Sequence, residues 1–319
     1  MRILVTGSAG HLGEALMLTL ERSDHEAIGL DIRSSPVTHR VGSITERDFV
    51  RRCMQGVDAV LHTATLHKPH IVTHSRQAFI DTNISGTLNL LEEAVAAGVE
   101  SFIYTSTTST FGHALIPPLG APAAWITEDV VPVPKNIYGV TKLAAENLCE
   151  LFHRTAGLSC IILRTSRFFP EEDDDAGVRE TFDAGNLKAN ELLYRRADLE
   201  DIVSAHRLAM EQAPGIGFGR YIISATTPFT PADLQQLRTD APAVVRRYSP
   251  GYEAEYRRRG WSMVPTIDRV YVNELARARL GWQPRYDFNS VVGSLHRDED
   301  FRSPLARAVG SKGYHGEVF

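Results

Sequence analysis

Cysteine, long apolar runs and dense basic segments are all scarce in this chain of 319 residues. The three cysteines, Cys53, Cys149 and Cys160, lack the spacing of a metal-binding or redox pair, and such a sparse count is typical of a reducing compartment. No apolar run approaches the roughly 20 residues that span a membrane. The first residues have the pattern of an apolar strand and not of a secretory signal. We therefore expect a cytoplasmic protein with no membrane partner.

The charge balance argues against a nucleic-acid partner. The net charge is −5 at pH 7 and there is no large basic block, so we expect no nucleic-acid partner. Hydrophobic residues make up 43% of the chain and charged residues 23%, which is an ordinary globular composition. The length suits one large domain or two domains that pack closely.

Short apolar segments alternate with segments of helical periodicity through the first half of the chain. The predicted strands are residues 2–6, 26–31, 59–62, 101–106 and 160–164. The predicted helices are residues 12–20, 74–98 and 138–154. This alternation predicts an α/β fold with a doubly wound parallel sheet of the Rossmann type.

Gly7, Gly10 and Gly13 lie between the first strand and the first helix, where a dinucleotide pyrophosphate can bind. The first glycine permits a tight turn, the second lets the pyrophosphate approach, and the third permits close helix packing. Asp31 ends the second strand, and a carboxylate there accepts hydrogen bonds from ribose hydroxyls and repels a 2′-phosphate. The pattern therefore predicts NAD in preference to NADP, although Arg33 offsets part of that repulsion.

Tyr138 and Lys142 lie one helical turn apart on the same helix face. A tyrosine with a pKa of about 10 is a weak base at neutral pH, and a neighbouring ammonium stabilises its phenolate. Together with a redox dinucleotide, the pair indicates hydride transfer at a carbon that bears a hydroxyl or a ketone.

These motifs together resemble the extended short-chain dehydrogenase/reductase family, in its NAD-dependent epimerase/dehydratase branch. The resemblance is close over residues 1–165 and looser in residues 198–202 and 280–284. It depends on the glycine turn, Asp31, residues 61–64, 83–87 and 104–112, and Tyr138 with Lys142. It implies an NAD-binding Rossmann domain at 1–165, to which 197–226 return, and a smaller C-terminal substrate-binding region made of 166–196 and 227–319.

The resemblance also implies a role for individual residues. Thr107, Tyr138 and Lys142 would be the catalytic set, and Thr107 and His67 would also face the substrate. Tyr138 and Lys142 would touch the cofactor as well. The other residues that would contact NAD are Gly7, Gly10, His11, Leu12, Gly13, Asp31, Ile32, Arg33, Ser43, Ile44, Thr63, Ala64, Thr65, Asn83, Thr105, Ser106 and Arg164.

Departures from the family pattern narrow the reaction. Dehydratases of this family usually carry Asp-Glu after the catalytic threonine, where this chain has Thr108 and Ser109, so 4,6-dehydration is disfavoured. Oxidation alone, reduction alone, or oxidation and re-reduction by a UDP-sugar 4-epimerase like UDP-glucose 4-epimerase remain. A non-catalytic NAD(P)-sensing regulator is the alternative from another class, although such proteins usually lack the Tyr/Lys pair.

The substrate side of the chain is unusual for the family. Arg167 stands where the family often has asparagine, and the segment from residue 170 to 199 is short, as in dehydrogenases of uronates and other small sugars. An arginine there suits a carboxylate or phosphate, or it pairs with the acidic run at 171–175. His67, His70 and His74 have helical spacing, but Pro69 interrupts it, so we expect no metal site.

The resemblance further implies a homodimer. The helices that begin near residues 74 and 138 would pair with those of a second copy. The expected partners are thus a small sugar-like molecule and another copy of this chain.

Overall fold

The computed structural model describes residues 1–173 and 176–312. Within these residues, seven parallel strands form one sheet in the order β3-β2-β1-β4-β5-β7-β8, and β6 pairs with β9 in a second, two-stranded sheet. The strands are β1 Arg2–Thr6, β2 Glu26–Asp31, β3 Arg40–Val41, β4 Ala59–His62, β5 Ser101–Thr107, β6 Ala124–Ile126, β7 Cys160–Thr165, β8 Phe218–Ile223 and β9 Arg269–Tyr271.

Helices cover both faces of the large sheet and build most of the C-terminal part. They are α1 His11–Leu20, α2 Arg47–Cys53, α3 Arg76–Ile80, α4 Gly86–Ala97, α5 Ile137–Ala156, α6 Ala176–Thr181, α7 Ala184–Glu191, α8 Leu199–Ile216, α9 Leu234–Leu237, α10 Ala241–Tyr248, α11 Tyr252–Arg259, α12 Glu274–Leu280, α13 Phe288–His296 and α14 Pro304–Val309. No helix among the described residues combines the length and apolarity needed to cross a membrane.

The large sheet is buried on both faces, which is why its strands are continuous apolar runs rather than alternating ones. One face packs against α1 and α8 through side chains such as Leu16, Ile202 and Met210. The other face packs against α4 and α5 through Leu90 and Ala145. This arrangement confirms the predicted doubly wound fold, and strand order reverses between β1 and β4, where such sheets bind ligands.

A third apolar cluster lies in the C-terminal part of the chain. It joins α7, α10, α11 and α13, with Phe288 and Tyr256 among its buried rings. Trp282 and Val309 instead pack in the cluster under α1 and α8. Segments of 227–319 therefore contact the large sheet, and the predicted domain division remains a prediction.

The helix predicted at 74–98 is interrupted in the structure. Ser75 caps the start of α3 by accepting a hydrogen bond from the Ala78 amide, at 3.1 Å. Residues Asp81–Ser85 then form one π-helical turn before α4. This wider turn carries Asn83, which is 2% exposed and turned towards the sheet, and single π turns are frequent at functional sites.

Candidate active site

A cleft of about 570 Å³ opens at the carboxyl ends of β1, β2, β4, β5 and β7. Most of the residues predicted as site residues line it. They are Gly7, Gly10, His11, Leu12, Gly13, Asp31, Ile32, Arg33, Ser43, Ile44, Thr63, Ala64, Thr65, His67, Thr105, Ser106, Thr107, Tyr138, Lys142 and Arg167. Asn83 and Arg164 are the two predicted residues that do not line the cleft.

The glycine turn packs so closely that a side chain on Gly7 or Gly13 would collide with backbone. Gly7 has a φ of +74°, and a Cβ on it would lie 2.7 Å from the Ala64 amide nitrogen. A Cβ on Gly13 would lie 2.0 Å from the Gly7 carbonyl oxygen. The turn leads into the N-terminus of α1, where free amides and the helix dipole favour negative charge. This cradle fits the pyrophosphate of a dinucleotide.

Asp31 is fixed at the next strand end. Its carboxylate accepts hydrogen bonds from the Ala9 amide at 3.0 Å and from the Arg33 amide at 2.9 Å. A carboxylate has about four acceptor positions, so two amides leave capacity for ribose hydroxyls. Arg33 also donates to the Ala9 carbonyl at 3.3 Å. The geometry fits the ribose of NAD.

Asn83 supports the cofactor loop instead of lining the cleft. Its Oδ1 accepts from the Leu66 amide at 2.8 Å and from the Thr65 hydroxyl at 3.0 Å. Its Nδ2 donates to the Leu66 carbonyl at 2.9 Å and to Thr141 Oγ1 at 3.0 Å. Because Thr141 precedes Lys142 on α5, Asn83 ties the loop after β4 to the helix that carries the Tyr/Lys pair.

The Tyr/Lys pair enters the cleft from the first turns of α5. Asn136 caps this helix by accepting from the Gly139 amide at 3.0 Å. The Lys142 ammonium donates to the Thr105 carbonyl at 2.6 Å and lies 4.1 Å from the centre of the Tyr104 ring. Both Tyr138 and Lys142 are less than 10% exposed. Their side chains are therefore held in place before a substrate arrives.

Burial dominates the protonation of this pair. It lowers the pKa of Lys142 to about 7, against the field of Glu146, which raises it. It raises the pKa of Tyr138 to about 12, while a hydrogen bond with Thr107 lowers that pKa. The expected lowering of the tyrosine pKa by a neighbouring ammonium is thus smaller here than the effect of burial.

Thr107 is positioned by its own turn at the end of β5. Its hydroxyl oxygen accepts from the Ser109 amide at 3.1 Å, and its carbonyl accepts from the Thr110 hydroxyl at 2.8 Å. Thr108 and Ser109 also line the cleft. No carboxylate stands at these two positions to serve as the acid or base of a dehydration.

Arg164 lies beneath the cleft and pairs with Glu146, at 2.7 Å. Ser106 donates to the same carboxylate at 2.5 Å. The guanidinium of Arg164 is buried against Glu146, and its Nη1 has no hydrogen-bond partner among the described residues. Because Arg164 does not line the cleft, the structure does not support the prediction that it contacts the cofactor. Sequence reasoning missed Glu146, although its position one turn after Lys142 would have placed it on the same face.

The histidines of the loop after β4 pack against each other and against Phe169. The His67 ring stacks on Phe169 with 5.5 Å between ring centres and meets His70 edge-on at 4.5 Å. Burial lowers the pKa of His70 to about 4. Within residues 1–173 and 176–312, no group of three His, Cys, Asp or Glu side chains could hold a metal ion.

Arg167 reaches the cleft, but its charge is already matched. It pairs with Asp173 and lies 3.3 Å from Glu191. Of the two alternatives for this residue, the structure therefore shows the ion pair with the acidic run, of which residues 174 and 175 lie outside the described part. Arg195, Arg269 and Tyr271 also line the cleft, and no motif in the sequence pointed to them.

Comparison with known proteins shows which family the chain resembles. A model of the NAD-dependent epimerase/dehydratase family matches residues 3–217. A UDP-glucose 4-epimerase of Rhizobium meliloti is 27% identical over 92% of this chain and 95% of that protein. An uncharacterized protein of Sinorhizobium fredii is 32% identical over 50% of this chain, which spans only 39% of that protein.

Among solved structures, a short-chain dehydrogenase/reductase superfamily protein of Agrobacterium tumefaciens with bound NAD has the same fold. Its TM-score is 0.65 at 23% identity, over 97% of this chain and 99% of that chain.

Proposed function

Because this chain belongs to the NAD-dependent epimerase/dehydratase family of extended short-chain dehydrogenases/reductases, we propose that it transfers a hydride between NAD and a sugar or sugar-like substrate. The reacting carbon would be a secondary alcohol or the corresponding ketone. One observation carries the proposal: Thr107, Tyr138 and Lys142 meet in one cleft with the glycine cradle. Membership of this family makes the chain an enzyme, which argues against a regulator that only senses NAD(P).

Bound NAD supplies the hydride acceptor, or the donor in the reverse direction. Tyr138 takes the proton from the substrate hydroxyl during oxidation and returns it during reduction. Since the pKa of Tyr138 is about 12, its phenolate needs stabilisation, and Thr107 supplies some through a hydrogen bond that lowers this pKa. The Lys142 ammonium adds positive charge on the same helix face. Thr107 also orients the substrate oxygen.

The proposal is tested by a screen for NADH absorbance. The purified protein is mixed with NAD and a panel of aldoses, uronates and nucleotide sugars, and products are analysed alongside. We expect NADH or an interconverted sugar from at least one compound, and neither from Tyr138→Phe. A panel that yields neither product with the wild-type protein would contradict the proposal.

A UDP-sugar 4-epimerase is the second candidate. The Rhizobium meliloti relative is named UDP-glucose 4-epimerase, and this chain aligns with 95% of its length. Such an enzyme oxidises the sugar, rotates the ketone and reduces it again. Interconversion of UDP-glucose and UDP-galactose without net NADH supports this candidate. Net NADH release with a free aldose or uronate excludes it.

We also propose a homodimer in the cytoplasm. Four apolar side chains are more than a third exposed on the helices expected to pair: Ile80 on α3, Val95 on α4, and Val140 and Leu151 on α5. The three cysteines are free and buried, which suits a reducing compartment. Sedimentation of the wild-type protein and of Leu151→Glu tests the dimer, and a wild-type monomer would contradict it.

A further inference from the structure

Two separate segments bring three donor side chains to the cleft. Arg269 and Tyr271 are alternate residues of β9 and so share one face of that strand. The Tyr271 amide donates to the Tyr194 carbonyl at 3.0 Å. This bond fixes β9 beside Arg195, and all three side chains line the cleft.

The two arginines have carboxylate partners but keep unused donors. Arg195 lies 2.7 Å from Glu191 and 3.7 Å from Asp173 through one nitrogen, Nη2. Its Nε is buried and has no hydrogen-bond acceptor among the described residues. Arg269 donates Nε and Nη2 to Asp268, both at 2.8 Å. Each guanidinium carries five N–H groups, so donors remain for a ligand.

Tyr271 adds a phenol to this pair. The side chain is 4% exposed, and no hydrogen bond joins its hydroxyl to the residues that the structure describes. Arg195 and Tyr271 are both close enough to Arg269 to change the pKa of its guanidinium. Burial lowers the pKa of Arg269 and so does Arg195, but Tyr271 and Asp268 raise it and prevail. Two guanidiniums and an unpaired phenol therefore converge on one space.

We propose that Arg195, Arg269 and Tyr271 bind an oxyanion of the substrate, a carboxylate or a phosphate. This inference rests on the proposed function, since the ligand is the same sugar substrate whose reacting hydroxyl would contact Thr107 and Tyr138. Guanidinium groups bind such oxyanions through parallel hydrogen bonds, and the phenol donates a further one. Arg167 is less suited to this role, because both of its terminal nitrogens already donate, Nη1 to Asp173 and Glu191 and Nη2 to the Glu172 carbonyl.

Two of the three residues of this site belong to the C-terminal region of the chain. Arg269 and Tyr271 lie beyond residue 217, where the match to the family model ends. The glycine turn, Thr107, Tyr138 and Lys142 all lie within that match. Residues within the match therefore carry the proposed hydride chemistry, while Arg269 and Tyr271 from beyond it, together with Arg195, select an anionic substrate.

Calorimetric titration of the NAD-loaded protein tests the site without any turnover. The ligands are glucose and galactose as neutral references, then glucuronate, galacturonate, glucose 6-phosphate and UDP-glucose. We expect at least one anionic sugar to bind more than about 10-fold tighter than its neutral reference, the order expected for a charge-assisted bond. The tightest ligand identifies the source of the oxyanion as a carboxylate, a phosphate or a diphosphate.

Two variants and a control assign this preference to the site. Arg269→Met and Tyr271→Phe should each reduce it at least several-fold while NAD affinity stays unchanged, which also shows that the variants fold. Arg297→Met is the matched control, because Arg297 also pairs with a near neighbour in sequence, Glu299 at 2.8 Å, but does not line the cleft. The inference is overturned if no anionic sugar is preferred, or if the preference survives both variants.

The outcome is separable from that of the proposed function. An anion preference that depends on Arg269, in a protein that forms no NADH and interconverts no sugar, would keep the site and refute the hydride chemistry. Turnover of neutral sugars without any anion preference would support the hydride chemistry and refute the oxyanion site.

Discussion

Glu146 and Arg164 form a buried ion pair that joins α5 to β7 beneath the cleft, with 2.7 Å between Glu146 Oε2 and Arg164 Nη2. The same carboxylate accepts the Ser106 hydroxyl at 2.5 Å. It also raises the pKa of Lys142, against the stronger effect of burial. The Glu146 carboxylate therefore has two effects: it pairs with a buried arginine of the sheet, and it favours the charged form of the proposed catalytic lysine.

Glu146→Gln should destabilise the protein by about 3–5 kcal/mol, because it leaves Arg164 buried without a counter-charge. It should also lower the pKa of Lys142 further and shift the pH profile of kcat/KM to lower pH. Urea unfolding and kinetics measure the two effects. Glu150→Gln is the control, since the pair of Glu150 with Arg220 is partly exposed and should be worth at most about 1 kcal/mol. Equal losses in both variants would contradict this account.

Tyr138→Phe should lower kcat by about 10²–10⁴-fold, the range for loss of a general acid or base. NAD affinity should stay nearly unchanged, because the ring and its packing remain. Stopped-flow kinetics and NAD titration measure the two quantities. Tyr286→Phe serves as the control, because Tyr286 lies outside the cleft and its hydroxyl is 3.4 Å from Glu200. A variant at Tyr138 with wild-type kcat would rule out its catalytic role.

Stability should fall as the pH drops from 6.5 towards 4, in part because of His206. This ring is buried, donates Nδ1–H to the Ile202 carbonyl at 2.8 Å and accepts the Thr105 hydroxyl at 2.8 Å. Burial lowers its pKa to about 4. In that window the unfolded chain binds a proton that the folded chain does not, so the free energy of unfolding decreases with falling pH.

The slope due to His206 is at most about 1.4 kcal/mol per pH unit. His206→Gln should flatten the measured dependence by up to that amount, as followed by urea unfolding at a series of pH values. Burial also lowers the pKa of His11 and of His70 to about 4, so part of the slope should remain. An unchanged slope would mean that His206 takes no part.

Short sequence motifs predict those parts of the fold and of the site that are built from residues close together in sequence. The glycine turn and the Tyr138/Lys142 pair each depend on residues close together in sequence, and Asp31 stands at the end of a predictable strand. The structure brings all of them into one cleft. The buried strands are equally readable, because parallel strands covered on both faces must be apolar throughout.

Contacts between segments that are far apart in sequence could not be predicted from such motifs. Arg164 has a sheet position that faces α5, so its pairing with Glu146 and its absence from the cleft lining depend on packing between elements. Asn83 depends on a π turn that no hydrophobic periodicity signals. Arg195, Arg269 and Tyr271 come together through contacts such as the backbone bond from Tyr271 to Tyr194, which are 77 positions apart in sequence.

Asp31→Ala should weaken NAD binding by about 10–100-fold, the range for charge-assisted hydrogen bonds. It should also relax the preference over NADP, because the repulsion of a 2′-phosphate disappears and Arg33 remains beside it. Titration with both dinucleotides measures the change. Asp24→Ala, at an exposed position in the preceding loop, should leave both affinities as in the wild type. Unaltered selectivity in Asp31→Ala would contradict the ribose assignment.

Gly13→Ala should destabilise the protein and abolish measurable NAD binding, because its Cβ would lie 2.0 Å from the Gly7 carbonyl oxygen. The α1 helix would have to move away from the turn that cradles the pyrophosphate. Gly215→Ala is the matched control, since a Cβ there meets no atom within 4 Å, and it should stabilise α8 by about 0.5–1 kcal/mol. Thermal unfolding with and without NAD measures both variants. If Gly13→Ala kept the stabilisation that NAD gives the wild type, close packing at the turn would not be what the cofactor requires.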